Sequence, residues 1–366
     1  MSSPDSPIAA VSQRVERFLE QQLNAVDGFG DEAAAFVRSG AAAATGGKRF
    51  RARFCLAGWR AVASAGRRAD SVVPNAVISA AASLEVFHAA ALVHDDIIDN
   101  SDTRRGAPAA HRGWEGRHRD AGWAGDPEGF GRSAAILLGD LLVAWSDDLL
   151  EEGLADFDDA ARAAAARREY ARMRRDVTIG QFLDVAEESA HVAVPAAEHA
   201  ERALRIASLK SARYSVQHPL LLGATLAGAD AAQYDALSAF GHPVGLAFQL
   251  RDDVLGVFGD EAATGKPVGD DLREGKRTLL VAFARERLTA GAARVFDELI
   301  GDPSLSREQI ASLQQTIVDT DALQRVEDLI GTWAVEADRA LRGAALGNAA
   351  VSELRDLARA ATVRTA

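Results

Sequence analysis

A chain of 366 residues, 48% hydrophobic and 26% charged, has enough apolar material for one large core. Its net charge of -12 argues against nonspecific nucleic-acid binding, which needs clustered positive charge. A single cysteine, Cys55, excludes an internal disulfide and fits a reducing, cytoplasmic compartment. Cys55 itself reads as a small buried hydrophobe on a helix. The first apolar stretch, near Ile8, is short and follows no basic region, so no signal peptide is expected. No run approaches the roughly 18 uninterrupted apolar residues that a membrane-spanning helix needs.

Abundant alanine and only 6% aromatics favour helix over sheet. The first eight residues are expected to be disordered, and the rest, 9–366, to form one all-helical domain. Apolar residues at the 3.6-residue period predict helices over 9–26, 31–44, 49–66, 74–100, 132–152, 158–190, 197–217, 219–227, 231–259, 276–290, 306–317, 321–345 and 351–362. No segment shows sustained strand-like alternation. Two long interruptions are predicted as loops. Residues 100–131 are rich in Gly, Arg and Trp, and residues 259–275 carry Gly265, Pro267 and Gly269 at their tip.

Both interruptions follow an acidic helix end. Asp95 and Asp99, in the run His94-Asp95-Asp96-Ile97-Ile98-Asp99, are four apart and share a helix face. Their oxygens suit a hard cation such as Mg²⁺. As structure alone they are unfavourable, because like charges repel and acids oppose the macrodipole at a helix C-terminus. That penalty is small, so a solvated acidic face remains an alternative. Arg104 and Arg105 follow, suited either to a diphosphate or to a simple salt bridge with the acids. The second cluster, Gln249-Leu250-Arg251-Asp252-Asp253, is followed by Lys266 and Lys276 with Asp270 and Asp271 between them. In helical bundles such acidic ends on facing helices build metal sites.

Only four of the 41 basic residues are lysine: Lys48, Lys210, Lys266 and Lys276. In a chain whose default base is arginine, each retained lysine invites explanation, and lysine is a common point-charge phosphate ligand. Lys48 lies in Gly46-Gly47-Lys48-Arg49-Phe50-Arg51, just before a predicted helix whose N-terminus favours anions. Lys210-Ser211 lies within a helix and alone signals nothing.

Taken in order, these segments resemble the polyprenyl synthetase family, the trans-isoprenyl diphosphate synthases. The resemblance rests on Gly46–Arg51, Asp95–Asp99 with Arg104-Arg105-Gly106, Gly180-Gln181-Phe182-Leu183-Asp184, Lys210-Ser211, and Phe248–Asp253 with Gly265-Lys266 and Lys276. It covers about residues 40 to 280. Three departures are visible. Ala52 replaces the usual Pro, a change expected to have little chemical consequence. Gly256 stands where the second aspartate motif usually ends in an acid. The loop over 100–131 is longer than usual.

The resemblance implies an all-α bundle of the isoprenoid synthase type with a deep apolar pocket, paired as a homodimer. It implies that Asp95, Asp99 and Asp252 hold three Mg²⁺ ions on an allylic diphosphate, with Arg104, Lys210, Lys266 and Lys276 neutralising it. It places Ser211 and Gln249 among the substrate-binding residues. Lys48, Arg51, His88 and Arg105 would bind isopentenyl diphosphate; by default His88 would be a satisfied core histidine. A class I terpene cyclase and a noncatalytic subunit of a heteromeric synthase are the competing readings. The product is expected to be geranylgeranyl diphosphate, with a farnesyl or longer chain as the alternative. The tail should run beside the helix carrying Asp95, toward its N-terminus. Ala91 and Ala90 are too small to block it. Phe87, about 4.5 Å deeper at 1.5 Å per residue, would be the floor unless it points into the ordinary helix core.

Overall fold

The computed structural model describes residues 6–65, 72–260 and 268–362. Helix α1 (Pro7–Ala25) starts at Ser6, whose hydroxyl accepts from the Ala9 N–H, with Pro7 at the first helical position. Ser6–Ile8 therefore belong to the helix start and not to a loose N-terminus, while residues 1–5 lie outside the described residues. Helices α2 (Asp31–Ala44) and α3 (Phe50–Ala63) follow. Cys55 is fully buried on α3, and burial pushes its thiol up to about 12.

Helix α4 (Asn75–Ile98) carries the first acidic cluster. With a mean hydropathy of 1.8 it is long and apolar enough to cross a membrane, but 83% of that stretch is buried inside the protein. A helix apolar all round and covered all round is a core helix. Its principal neighbour is α6 (Pro127–Ala155). Small residues let the two helices approach closely: a Cβ at Gly139 would collide with the His94 ring, and one at Gly153 with Ser79.

The expected loop over 100–131 is largely structured. It holds a two-residue hairpin, β1 (Thr103–Arg104) with β2 (Ala107–Pro108), then helix α5 (Ala110–Asp120). Periodicity missed α5 because glycines and charges dilute its apolar face. That face is aromatic: Trp114 packs against Phe36 and Phe130, and its indole N–H donates to Ser39 Oγ at 3.2 Å. Helix α6 then begins five residues earlier than expected, because Asp126 caps Glu128 and Gly129 and Pro127 starts the helix.

The remaining helices are α7 (Ala160–Ala190), α8 (His199–Ile206), α9 (His218–Ala227), α10 (Ala231–Phe258), α11 (Asp270–Glu274), α12 (Leu279–Arg287), α13 (Ala290–Leu299), α14 (Arg307–Asp319), α15 (Ala322–Ala340) and α16 (Asn348–Thr362). Between α8 and α9, residues Ala207–Gln217 form a π-helix, where the sequence predicted continuous α-helix. Periodicity does not separate the two, because a change of register leaves the apolar pattern nearly intact.

Among the described residues the fold is all-α apart from the short hairpin. The chain groups into two compact units. One comprises residues 1–59 and 70–164, with α4 and α6 at its centre. The other comprises 60–69 and 165–366, built around α10. Leu250, Val254, Val257, Leu272, Leu280 and Ile317 form part of its core. Each fully buried leucine there contributes on the order of 1.5–3 kcal/mol.

Candidate active site

In the first unit, the loop into α3 turns through backbone positions with positive φ: Gly46 (78°), Gly47 (89°) and Arg49 (51°). Glycine tolerates this; Arg49 is held there by what it meets. Its Nη1 lies 3.9 Å from Glu85 Oε2, and the Ala52 N–H donates to Glu85 Oε1 at 2.9 Å. Glu85 is only 6% exposed, so these partners offset a buried charge. A proline at position 52 has no N–H to give. The Ala52 departure thus has a structural consequence that sequence reading missed.

Arg105 lies over this loop. A Cβ on Gly47 would stand 3.3 Å from Arg105 Nη2, and Arg105 Nη1 donates to the Thr45 carbonyl at 3.4 Å. Lys48 is exposed on the same loop, and Arg51 is buried at the start of α3. The His88 imidazole is pushed well below its ordinary pKa, by burial first and then by Arg51, Arg105 and Arg104. It is therefore a neutral ring among guanidinium groups, able to donate or accept a hydrogen bond without adding repulsion. Three of the four residues expected to bind a second anion are thus electrostatic neighbours.

At the end of α4, Asp95 and Asp99 are partly exposed, whereas Asp96 is 2% exposed. Arg104 donates to Asp96 Oδ1 from Nε at 2.9 Å and also from Nη2. Burial raises the Asp96 pKa and outweighs this pairing. Burial works against Arg104 as well, yet Asp96, followed by Asp95 and Asp99, holds it above its ordinary value. The salt-bridge alternative for Arg104 is therefore present in the structure, within the field of the two partly exposed acids.

The second unit repeats this division of labour. Asp252 is partly exposed at the end of α10, while Asp253 is buried and accepts from Gln249 Nε2 at 2.7 Å. Burial first, and then Asp271, push Asp253 up to about 8. Lys276 Nζ lies 3.5 Å from Asp271 Oδ1 and 2.5 Å from Glu274 Oε2. Lys210, with Ser211 beside it on the π-helix, pairs with Asp184 Oδ2 at 2.5 Å. Lys266 lies outside the described residues. On α4, Phe87 and Ala90 are buried and Ala91 is partly exposed. Ala90 and Ala91, three and four residues beyond Phe87, both lie over its face of the helix one turn on.

Among the described residues, no three Asp, Glu, His or Cys side chains converge tightly enough to enclose a cation. Any hard cation at these helix ends must draw its remaining oxygens from water or a ligand. That is the habit of Mg²⁺, which takes one or two carboxylates plus phosphate oxygens.

A polyprenyl synthetase profile matches residues 38–317. The chain belongs to the polyprenyl synthetase family. A geranylgeranyl diphosphate synthase of Mycobacterium tuberculosis is 38% identical over 244 residues, 66% of this chain and 60% of that protein. A geranylfarnesyl diphosphate synthase of Aeropyrum pernix is 34% identical over 251 residues, 68% and 70% of the two chains. A short chain isoprenyl diphosphate synthase of Methanocaldococcus jannaschii is 31% identical over 234 residues, 64% and 63%. The match thus spans 60–70% of the length of these curated relatives. Over 100% of both chains, the fold superposes with a TM-score of 0.90 on a crystal structure of geranylgeranyl pyrophosphate synthase from Corynebacterium glutamicum, complexed with isoprenyl diphosphate and magnesium, at 38% identity.

Within this member of the family, Gly256 has a clear physical reason. A Cβ there would collide with the carboxylate of Asp271. An acid has not simply been lost from the end of the second motif; a carboxylate from α11 occupies the space. Sequence reading noted Asp271 but gave it no role, since fifteen residues and a loop separate it from Gly256. Restoring the aspartate as Gly256→Asp should therefore harm the protein. We expect a lower melting temperature and reduced activity, with partial recovery in Gly256→Asp/Asp271→Ser. A Gly256→Asp protein as stable and active as the parent would contradict this packing.

Proposed function

We propose that this chain is a trans-prenyltransferase that joins isopentenyl diphosphate head-to-tail to an allylic diphosphate. One observation carries the reading. The cationic cluster around His88 comes in addition to the two carboxylate clusters. An enzyme acting on one diphosphate has no need of it, whereas one joining two diphosphates does. Mg²⁺ is the fitting cofactor, with Asp95, Asp99 and Asp252 supplying carboxylate oxygens and three ions expected from the resemblance. When bound it supplies positive charge to the leaving diphosphate.

The chain's own residues do the rest. Arg104, Lys210, Lys266 and Lys276 add charge to the allylic diphosphate, and Ser211 and Gln249 orient it, so the carbon–oxygen bond breaks toward an allylic cation. Lys48, Arg51, His88 and Arg105 hold isopentenyl diphosphate so that its double bond attacks that cation. The proton lost afterwards goes to the departing diphosphate. Apolar walls must exclude water, which would quench the cation.

Asp95→Ala and Asp252→Ala should each lower turnover by about a hundredfold or more while the circular dichroism stays unchanged. Near-normal turnover at saturating Mg²⁺ in either variant would refute the assignment. Diphosphate release should need isopentenyl diphosphate. A terpene cyclase would release it from the allylic substrate alone, and a noncatalytic subunit would release none.

We assign geranylgeranyl diphosphate as the product, with Phe87 as the floor of the tail pocket. Phe87→Ala should then give longer chains, read by chromatography of the dephosphorylated products. An unchanged distribution from a folded, active variant excludes the floor. We further propose a cytoplasmic homodimer. Ile136 and Leu137, 47% and 61% exposed on α6, offer apolar surface for pairing. Light scattering at micromolar concentration should show twice the chain mass, and a purely monomeric protein would count against pairing.

A further inference from the structure

The π-helix over Ala207–Gln217 is costly, since its i→i+5 geometry is rarely stable and such turns collect at functional sites. Its backbone is admitted on both sides by missing side chains. A Cβ at Gly180 of α7 would overlap the Lys210 backbone, and one at Gly245 of α10 would overlap Ala212. A Cβ at Gly241 would stand 3.0 Å from Gln217 Cα. Toward α10, Ser208 meets His242 Nε2 at 2.8 Å, and Gln217 Nε2 donates to Ser238 Oγ at 2.9 Å.

Toward α7 the contacts are ionic. His218 is the first residue past the π-helix, and its N–H reaches back five residues to the Arg213 carbonyl. The residue is 7% exposed, with its ring Nδ1 2.6 Å from Glu169 Oε1 and Nε2 3.3 Å from Asp176 Oδ2. Both ring nitrogens thus face carboxylate oxygens. Arg213 Nη1 reaches the same Asp176 oxygen at 3.4 Å, and Tyr234 donates to Glu169 Oε2 at 3.0 Å. Glu169, Asp176, Gly180 and Asp184 fall at offsets of seven, eleven and fifteen residues, close to one face of α7. Three of them grip the π-helix or its end; the fourth, Asp184, takes the Lys210 ammonium.

We propose that His218, clamped between Glu169 and Asp176, is a positioning residue that locks the π-helical register and so aims Lys210 from beside Asp184 at the allylic diphosphate. The last step rests on the function proposed above; the register lock does not. Without the clamp the segment should relax toward ordinary α-helix, which would rotate Lys210 away from Asp184. No metal is needed to explain the cluster, because the two acids sit at opposite nitrogens of one ring and do not converge.

The chain has only four lysines, so lysine labelled with ¹³C at Cε should give four readily assigned cross-peaks in the full-length protein. His218→Asn should move the Lys210 peak toward that of an exposed lysine and leave the Lys48 peak in place. In turnover it should raise the KM for the allylic substrate or lower kcat by about tenfold to a hundredfold, leaving the KM for isopentenyl diphosphate unchanged. Asp176→Asn, which keeps the shape and removes a charge, should move the same peak if His218→Asn does not fold. An unmoved Lys210 peak in a folded variant overturns the lock. A moved peak in a protein that never transfers a prenyl group upholds the lock and overturns the proposed function instead.

Discussion

The hardest constraint on this fold is to place carboxylates at the C-terminal end of a long apolar helix, once in each unit. Helix dipole and mutual repulsion both oppose them there. Each unit meets the difficulty in the same way. The second aspartate of each pair is buried and tied down, Asp96 by Arg104 and Asp253 by Gln249. The first, Asp95 or Asp252, remains partly exposed. One acid thus anchors the helix end and its neighbour keeps part of its surface exposed. The anchors are the groups whose pKa burial raises, so the cost of crowding falls on the buried acid of each pair.

The same economy runs through the motif helix of the second unit. Arg251, between Gln249 and Asp252, points away from the acids and donates to both oxygens of Glu327 at 2.6 and 2.7 Å. Its Nε donates to the Thr362 carbonyl at 3.0 Å, tying α15 and α16 to the end of α10. The bidentate fork fixes rotation about the α10 axis in a way one point charge would not. Glycine serves the opposite need, letting backbones meet where the register must be unusual, as at Gly180 and Gly245.

Much of this was legible in the sequence. The long helices announced themselves through apolar period, and α4, α7 and α10 were placed within a few residues. The ordered motifs and the four lysines pointed to diphosphate chemistry. What the sequence hid was tertiary in origin. Helix α5 depends on Trp114 meeting Phe36 and Phe130, which no local pattern encodes. The π-helix depends on two glycines far along the chain. Asp271 filling the space at Gly256, and Ala52 donating to Glu85, are pairings across a loop or between helices that composition cannot reveal.

The lysine count also acquires a physical meaning. Arginine in this chain does the clamping, at Asp96, Glu327 and Asp176, where a rigid fork and a permanent charge suit a fixed partner. Lys210 and Lys276 instead rest against Asp184 and Glu274 through a single ammonium on a flexible stem. An ammonium on a flexible stem can change partner without dismantling a bidentate pair. The fork thus serves fixed partners such as Glu327, and the point charge serves pairs that a single ammonium can leave.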